Sequence, residues 1–292
     1  MDTPVISIIA INYNSTADTL EFLESVYETS FLSKEVIIID NASRENPEQI
    51  IRQRFPLVTF IRSERNLGFA GGNNLGINAS KGKYLFFLNN DTLLPKDFFE
   101  PIITFMETHK EVGMASPKIL YPDNKTIQYV GSIGINPYTG RGKRIALMEE
   151  DNGQYDRCYE TDLAHGAALV VPRAIVNKVG PMPELFFLYY EEHDWCEQIK
   201  RAGYKVFYIG ESKIFHKGSV SIGGAHSPLK VYYLTRNRLL FMRRNFQGIQ
   251  FYSGMLFFIL LTIPKQTISF LLRGKFKLLN SFYNGLVWNM KN

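Results

Sequence analysis

The chain has 292 residues and 45% of them are hydrophobic, which is enough for the core of one large α/β domain or two closely joined halves. Its two cysteines, Cys158 and Cys196, form neither a disulfide framework nor a close pair of metal ligands, and they favour a reduced, cytosolic protein. The net charge of +5 is unevenly distributed, because residues 212–292 hold twelve Lys and Arg and no Asp or Glu, so we expect an anionic partner.

Three apolar runs near the N-terminus predict strands that are buried on both faces. Residues 5–12, 35–40 and 58–62 are rich in Ile and Val without polar alternation, which is typical of a parallel sheet. The first run is short and follows no basic segment, so we expect a strand there and not a signal peptide. Between the runs lie residues that commonly start helices, or apolar residues at helical spacing. This alternation of strands and helices predicts an α/β fold with a mostly parallel sheet flanked by helices.

The most apolar run, residues 84–88, is the expected centre of the sheet. A glycine-rich stretch at 65–76 precedes it; there the backbone can approach a ligand closely, and a helix is expected from about Gly72. The run ends in Asn89-Asn90-Asp91. Ligands bind beyond the carboxyl ends of such strands, and a carboxylate beside neutral oxygen donors suits a divalent cation and the diphosphate that it holds.

The pattern changes after Pro117. Residues 119–162 are expected to form an irregular insertion with a hairpin, and an aromatic strand is expected at 186–190. The acidic cluster 191–194 then opens a helix that runs to about Ala202, although carboxylates also occur in a first helical turn for dipole reasons alone.

The sequence lacks three nucleotide-binding signatures. No G-x-G-x-x-G follows the first strand, which argues against a nicotinamide dehydrogenase, and no Walker lysine motif is present. Asn12-Tyr13-Asn14-Ser15 is also unlike the glycine-rich basic loop that a nucleotidyltransferase would carry after its first strand.

Several short motifs, taken in order, resemble those of inverting family 2 glycosyltransferases of the GT-A fold, especially bacterial rhamnosyltransferase-like members. The resemblance runs from Val5 to about Arg244. The motifs are Ile11-Asn12-Tyr13-Asn14, Ile39-Asp40-Asn41-Ala42-Ser43, Asn66-Leu67-Gly68-Phe69-Ala70-Gly71-Gly72-Asn73, Leu88-Asn89-Asn90-Asp91, Tyr190-Glu191-Glu192-His193-Asp194-Trp195-Cys196, Arg201-Ala202-Gly203-Tyr204 and His216.

The resemblance implies a nucleotide-sugar donor site in the first half of the chain. Asp40 would hydrogen-bond the nucleobase, with an Asx turn to Asn41 as the alternative reading. The other residues implied in donor binding are Asn12, Asn14, Asn66, Gly71, Asn73, Asn89 and Asn90.

The resemblance also implies a divalent cofactor, Mg²⁺ or Mn²⁺. Asn89-Asn90-Asp91 stands where the family has D-x-D, so Asp91 would be the direct ligand of a metal that neutralises the leaving diphosphate. Some family members place a metal-binding His where this chain has His216, which we expect in a polar, glycine-rich loop. A lone loop His would otherwise carry little weight.

The general base is implied by the acidic cluster. The family pattern is Glu-Asp-x-Asp, and Glu192 matches its catalytic Asp with one additional methylene. Asp194 therefore remains a rival for the role. The base would let an acceptor hydroxyl attack the anomeric carbon in one displacement.

The function implied is transfer of a sugar, rhamnose from dTDP-rhamnose in the first instance, to a cell-surface polysaccharide or lipid-linked glycan. The alternatives are a UDP-sugar hexosyltransferase and a nucleotide-sugar-binding protein without turnover. We divide the chain into a donor-binding half (1–118), an acceptor-binding and catalytic half of the same GT-A domain (119–247) and an apolar, basic helical tail (248–292).

The tail predicts association with a membrane surface. Residues 249–263 are strongly apolar, but Pro264 is expected to end that helix, and about twenty residues are needed to span a bilayer. Flanking Lys and Arg favour an in-plane anchor on anionic lipid at the inner face of the cell membrane, with a helix packed on its own domain or in a homodimer interface as the alternative. Nucleic acid is disfavoured because no base-reading motif accompanies the basic residues.

Overall fold

The structure is a computed structural model that describes residues 3–218 and 227–292. The strands are β1 (Ile6–Asn12), β2 (Lys34–Asp40), β3 (Thr59–Arg62), β4 (Tyr84–Leu88), β5 (Thr92–Leu93), β6 (Val112–Leu120), β7 (Ile127–Tyr129), β8 (Ser132–Asn136), β9 (Arg141–Arg144), β10 (Tyr159–Glu160), β11 (Ala168–Pro172) and β12 (Lys205–His216). The helices are α1 (Thr16–Glu28), α2 (Glu48–Arg54), α3 (Gly68–Ala79), α4 (Phe99–Thr108), α5 (Arg173–Val179), α6 (Glu191–Arg201), α7 (Pro228–Asn245), α8 (Gly248–Phe257), α9 (Ile263–Leu272) and α10 (Phe276–Lys291).

A ten-stranded mixed sheet forms the centre of the molecule. Its order is β10-β12-β6-β11-β4-β1-β2-β3, with β5 beside β12 and β7 beside β6. Strands β1 to β4 are parallel, and β6 and β12 run in the same direction, whereas β11 lies antiparallel between β4 and β6. The prediction of a mostly parallel sheet flanked by helices is therefore confirmed. Strands from both 1–118 and 119–247 share this sheet.

The central strand β4 is apolar at every position because each face of the sheet has its own core. In β4, Tyr84, Phe86 and Leu88 enter one cluster of buried side chains, and Leu85 and Phe87 enter the other. The same alternation divides the residues of β1 and β2 between the two clusters. Burial on both faces removes the polar positions that a half-exposed strand would show.

Several predicted boundaries are wrong. The glycine-rich helix begins at Gly68 and not at Gly72. Strand β6 continues through Pro117 to Leu120, and β12 extends to His216, so His216 ends a strand instead of lying in a loop. The loop predicted beyond Gly218 falls largely outside the described residues.

The aromatic segment before α6 is not the strand that we predicted. A 3-10 turn covers Glu184–Phe186, and Phe187, Tyr189 and Tyr190 then have φ angles of 65°, 69° and 76°. A pleated strand requires negative φ, so this segment turns sharply and ends in Tyr190, directly before the acidic cluster.

The helix after Gly248 does not end at Pro264. Helix α8, a π-helical turn at Phe258–Thr262 and α9 form one continuous stretch of 25 residues, long and apolar enough to cross a membrane by length and composition. The amide of Ile263 bonds to the carbonyl of Phe258, five residues earlier. This wider turn accommodates a proline that cannot donate a hydrogen bond.

Candidate functional site

A cleft of about 1080 Å³ lies at the carboxyl ends of β1, β2 and β4. It brings together residues that are far apart in the sequence. The predicted site residues on its wall are Asn66, Asn89, Asn90, Asp91, Glu192 and His216.

Asp40 lies behind the wall of the cleft. Its side chain is fully buried, with Arg62 at 3.1 Å and the Asn12 amide donating to it at 2.8 Å. Direct contact with a nucleobase would require Arg62 to move. Asn41, which follows Asp40, does line the cleft, donates to Asn66 and accepts a hydrogen bond from the amide of Leu67.

Four other predicted donor-binding residues also lie outside the wall. Asn12 is buried and donates to Asp40. Asn14 is exposed, and its side chain accepts a bond from the amide of Arg44. Gly71 packs against Leu67, where an added Cβ would lie 2.8 Å from the Leu67 Cβ. Asn73 is buried on α3. The contacts of these four residues with the donor remain predictions.

Asp91 and His216 meet at the ends of β4 and β12. The Asp91 Oδ1 lies 3.1 Å from the His216 Nε2, and the His216 Nδ1 lies 2.5 Å from the Gln128 Oε1. The Gln128 carbonyl holds the proton on Nδ1, so Nε2 presents its lone pair towards Asp91. A carboxylate and an imidazole lone pair that face each other suit a shared cation.

The protein supplies only part of a metal shell here. Across 3–218 and 227–292, His, Cys, Asp and Glu side chains form no group of three or more that could hold a metal ion. Two protein ligands nevertheless fit Mg²⁺ and related ions, which keep several waters and commonly take their remaining ligands from substrate phosphates.

The first turn of α6 places two adjacent carboxylates in different electrostatic states. Burial, reinforced by the charge of Glu192, raises the pKa of Glu191 well above its ordinary value. Burial would also raise the pKa of Glu192, but the His193 ring 3.2 Å away outweighs it and the pKa is lowered. Glu192 is therefore the ionised member of the pair. Its Oε2 is buried and lacks a hydrogen-bond partner among the described residues, so it can accept a proton.

Asp194 points away from the cleft. Arg244 contacts both of its carboxylate oxygens at 3.0 Å, and Asn245 and Gln198 each donate to it at 2.8 Å. All of its strong acceptor positions are thus used in fastening α6 to the end of α7. The side chain is fully buried, so substrate has no access to it.

His165 is a cleft residue that the sequence reasoning missed. Its Nδ1 accepts the amide of Ala167 at 3.1 Å, which leaves the proton on Nε2. Burial, followed by the charges of His216 and Arg144, lowers the pKa of His165 to about 3. A neutral imidazole thus lies beside both the Asp91–His216 pair and Glu192. The only local signal in the sequence was the glycine that follows His165. In the structure an added Cβ at Gly166 would lie 3.5 Å from the Glu192 carboxylate, so a glycine keeps the space beside Glu192 open.

Helix α7 holds the strained turn that precedes Glu192. The buried Asn237 amide lies within 2.8–2.9 Å of the carbonyls of residues 186, 188 and 189. Arg236 bonds to the carbonyls of residues 185 and 186 at 2.6 and 2.7 Å. A positive φ costs a non-glycine residue about 1–3 kcal/mol, and such a conformation persists only when its surroundings determine it. Arg236 and Asn237 provide those surroundings, and they thereby aim α6.

Comparison with known proteins decides the family. Residues 7–179, more than half of the chain, match the family described as Glycosyl transferase family 2. The chain belongs to this family. It is therefore an inverting glycosyltransferase, and the alternative of a binding protein without turnover is not supported. The matched region ends before α6, so Glu192 and His216 lie beyond it.

Three relatives of the glycosyltransferase have informative names. The chain is 26% identical to "Low-salt glycan biosynthesis hexosyltransferase Agl10" of Haloferax volcanii, covering 80% of this chain and 74% of that protein. It is 25% identical to "dTDP-rhamnosyl transferase RfbF" of Shigella flexneri, covering 84% and 82%. It is 22% identical to "N-acetylglucosaminyl-diphospho-decaprenol L-rhamnosyltransferase" of Mycobacterium tuberculosis, covering 76% and 78%.

A solved structure confirms the GT-A fold. The mannosyltransferase PcManGT of Pyrobaculum calidifontis, determined with GDP-Man and Mn²⁺, superposes with a TM-score of 0.61 and 16% identity. The match covers all of this chain and 76% of the mannosyltransferase.

The Asp194–Arg244 contact leads to a prediction about stability. Asp194→Asn should lower the free energy of unfolding by about 1–3 kcal/mol, because it breaks charge-assisted hydrogen bonds to a partly exposed Arg244. Arg244→Gln should have a similar effect, and the double variant should fall short of the sum, measured by urea unfolding. Full stability of Asp194→Asn together with lost turnover would contradict this assignment and favour Asp194 as the base.

The Asn237 contacts lead to a prediction about turnover. Asn237→Ala should reduce the rate of transfer by about 10²-fold, since a small displacement of α6 misplaces Glu192, while the affinity for the donor changes little. Unfolding in urea should show a folded but less stable protein, because buried carbonyls lose their donor. Asn280→Ala, at an exposed site on α10, is the matched control. Equal turnover in the two variants would remove Asn237 from this role.

Proposed function

We propose that the protein is a metal-dependent transferase that moves rhamnose from dTDP-rhamnose to a cell-surface polysaccharide or a lipid-linked glycan. The observation that carries the proposal is the placement of an ionised Glu192 and the Asp91–His216 pair on one cleft. Two relatives named as rhamnosyltransferases support the choice of sugar, and one of these names includes dTDP.

In the proposed reaction Glu192 is the general base. The Glu192 carboxylate accepts the proton of an acceptor hydroxyl, whose oxygen attacks the anomeric carbon while the bond to the nucleoside diphosphate breaks. Attack from the face opposite the leaving group gives the inversion expected of the family. Glu191 does not compete for this role, since its raised pKa keeps it protonated. The burial of Asp194 against Arg244 supports Glu192 over its rival.

Asp91 and His216 are the proposed ligands of Mg²⁺ or Mn²⁺. When bound, the ion would offset the negative charge that develops on the departing diphosphate. The Asn89 amide nitrogen lies 3.3 Å from the same His216 Nε2, so it would turn aside when an ion binds that nitrogen.

The proposed donor pocket extends from the metal pair to the glycine-rich segment. Asn66 and Asn90 line the cleft on this side and are the proposed polar contacts of the donor. Asp40 is proposed to act on the nucleobase, and its position at the carboxyl end of β2 beside the cleft residue Asn41 supports this.

The second candidate is transfer of another hexose from a UDP-sugar. The relative named as a hexosyltransferase favours it. Calorimetry with dTDP-rhamnose, UDP-glucose and UDP-galactose in the presence of Mn²⁺ separates the two, and the donor that binds most tightly and supports transfer identifies the substrate.

We expect substitutions to separate chemistry from donor binding. Glu192→Gln keeps the size of the side chain but removes the proton acceptor, so it should lower the rate of transfer by about two to four orders of magnitude with nearly unchanged donor affinity. Asp91→Asn should instead weaken both metal and donor binding. Glu192→Asp is the control, since it restores the residue more usual in the family. Transfer at the wild-type rate by Glu192→Gln would show that the base lies elsewhere.

We also propose that the helix 248–272 binds the cytoplasmic face of the membrane. Only 11% of its most apolar window is buried, and large apolar side chains face outward. These are Ile249, Tyr252, Leu256, Ile259, Leu260, Leu261, Ile268, Leu271 and Leu272. Lys265 is exposed within the helix, and a charge at the centre of a bilayer costs about 2.5–3.5 kcal/mol, which favours a helix lying in the interface.

Surface substitutions test membrane binding without disturbing the fold. Removing residues 248–292 would also remove α10, whose Phe282 is buried and whose Asn289 donates to the carbonyl of Arg236. We therefore choose Leu256→Gln/Leu260→Gln, two exposed leucines. Binding to anionic vesicles should weaken by about 10- to 100-fold, measured by co-sedimentation at low salt.

The matched control changes two exposed leucines elsewhere, Leu32→Gln/Leu57→Gln, and should bind vesicles as the wild type does. If the wild-type protein ignores such vesicles, or if both double variants bind equally, the apolar face serves another purpose, and a change in oligomeric state would identify a dimer interface.

A further inference from the structure

We infer that the groove between β9 and α7 binds the phosphate or diphosphate group of a lipid-linked acceptor. The inference rests on the proposed function and names the class of acceptor. It also names the side chains of this chain that would recognise the acceptor; none of them belongs to the sequence motifs, and Lys230 lies beyond the region matched to the family.

The two walls of the groove carry positive charge. Gly142, Lys143 and Arg144 of β9, which is exposed throughout, line the cleft together with Lys230 and Leu234 of α7. Lys230 and Leu234 are four residues apart and so lie on the same face of the helix. Arg238, one further turn along that face, bonds to the carbonyl of Thr139 and joins the two walls at one end.

The groove has one polar end and one apolar end. At the inner end the charge of Arg144 acts on His165, which lies beside Glu192. At the outer end the tip of the β8–β9 hairpin packs against the C-terminal helices: the carbonyl of Pro137 approaches Gly254, and Arg141 lies 5.6 Å from the ring centre of Phe257. The outer end thus adjoins the helix that we propose to bind the membrane.

No carboxylate of the described residues neutralises this charge. Asp18, Asp91 and Glu192 line the cleft and contact Lys217, His216 and His193, and Glu191, which also lines it, forms no ion pair with the described residues. Lys143, Arg144 and Lys230 form no salt bridge within 3–218 and 227–292. Uncompensated positive charge on two facing walls attracts an anion and raises its local concentration.

The ligand should be amphiphilic as well as anionic. Leu229 and Leu234 line the same part of the cleft and are more than a third exposed. A free phosphate would leave these apolar side chains in water, and a neutral glycoside would leave the cations without a partner. A sugar attached through phosphate to a lipid satisfies both, with its hydroxyl at Glu192, its phosphate between the walls and its lipid towards the helix 248–272.

A binding experiment tests the groove without turnover. Farnesyl diphosphate, kept below its micelle concentration in EDTA, is titrated into the full chain by calorimetry. Wild type should bind it, and Lys143→Gln/Arg144→Gln and Lys230→Gln should each weaken binding by about tenfold or more, because charge-assisted hydrogen bonds are lost. Farnesol and inorganic pyrophosphate should each bind at least about tenfold more weakly than farnesyl diphosphate.

Two controls test for other binding places. Lys213→Gln removes an exposed lysine of β12 outside the cleft and should bind as wild type does. Saturating dTDP, which occupies the donor site, should not displace farnesyl diphosphate. Displacement would place the diphosphate in the donor site and overturn the inference. Unchanged binding of farnesyl diphosphate by Lys143→Gln/Arg144→Gln would overturn the inference as well. The same holds if this variant weakens binding to anionic vesicles but not binding to farnesyl diphosphate.

Turnover separates this inference from the proposed function. With an alkyl diphosphate-linked N-acetylglucosamine acceptor, Lys143→Gln/Arg144→Gln should raise KM for the acceptor by about tenfold, whereas KM for the neutral alkyl glycoside and the rate of dTDP release from dTDP-rhamnose without acceptor should not change. An equal rise in KM for both acceptors would contradict the recognition of phosphate. Absence of dTDP release in wild type would contradict the proposed donor. The titration with farnesyl diphosphate would then decide by itself whether the groove binds the acceptor.

Discussion

The antiparallel pairing of β11 with β4 joins the two sides of the active site. Residues Ala168–Pro172 pair with Tyr84–Leu88, and the amide of Asn89 donates to the carbonyl of Ala167 at 2.9 Å. This short ladder places the segment that carries His165 directly beside the end of β4 that carries Asp91. Parallel strands alone would bring together only the residues that follow β1, β2 and β4 at one edge of the sheet. The reversed strand adds the segment 165–167 to the cleft.

Helix α7 is the second element on which the site depends. Its buried Asn237 and Arg236 hold the turn at 186–190, and Arg244 at its end fastens Asp194. The same helix packs against α10, where the ring centre of Trp288 lies 4.5 Å from the Arg236 guanidinium. The C-terminal helices are thus connected to the turn at 186–190 by one helix.

The three carboxylates at the start of α6 are close in sequence but lie in different electrostatic environments. Glu191, Glu192 and Asp194 lie within four residues, yet one has a raised pKa, one has a lowered pKa and one is held by an arginine. Environments that push the pKa values of adjacent acids apart are typical of acid–base sites. The separation comes from what each side chain faces: apolar burial for Glu191, the His193 ring for Glu192, and the end of α7 for Asp194.

The sequence by itself determined the fold class, the buried strands and the polar residues at their carboxyl ends. Apolar runs without alternation are a local property, and the motif order pointed to the family that the comparison confirms. The choice between Glu192 and Asp194 could not be read from the sequence, since both lie in one helical turn and only the direction of each side chain separates them. His216 also depended on tertiary structure, because the pairing of β12 with β5 extends the strand that carries it to Asp91. The turn at 187–190 was mistaken for a strand because its conformation is imposed by Asn237, about fifty residues away, and not by its own aromatic sequence. Long-range hydrogen bonds of this kind leave no local pattern, so only the folded chain decides them.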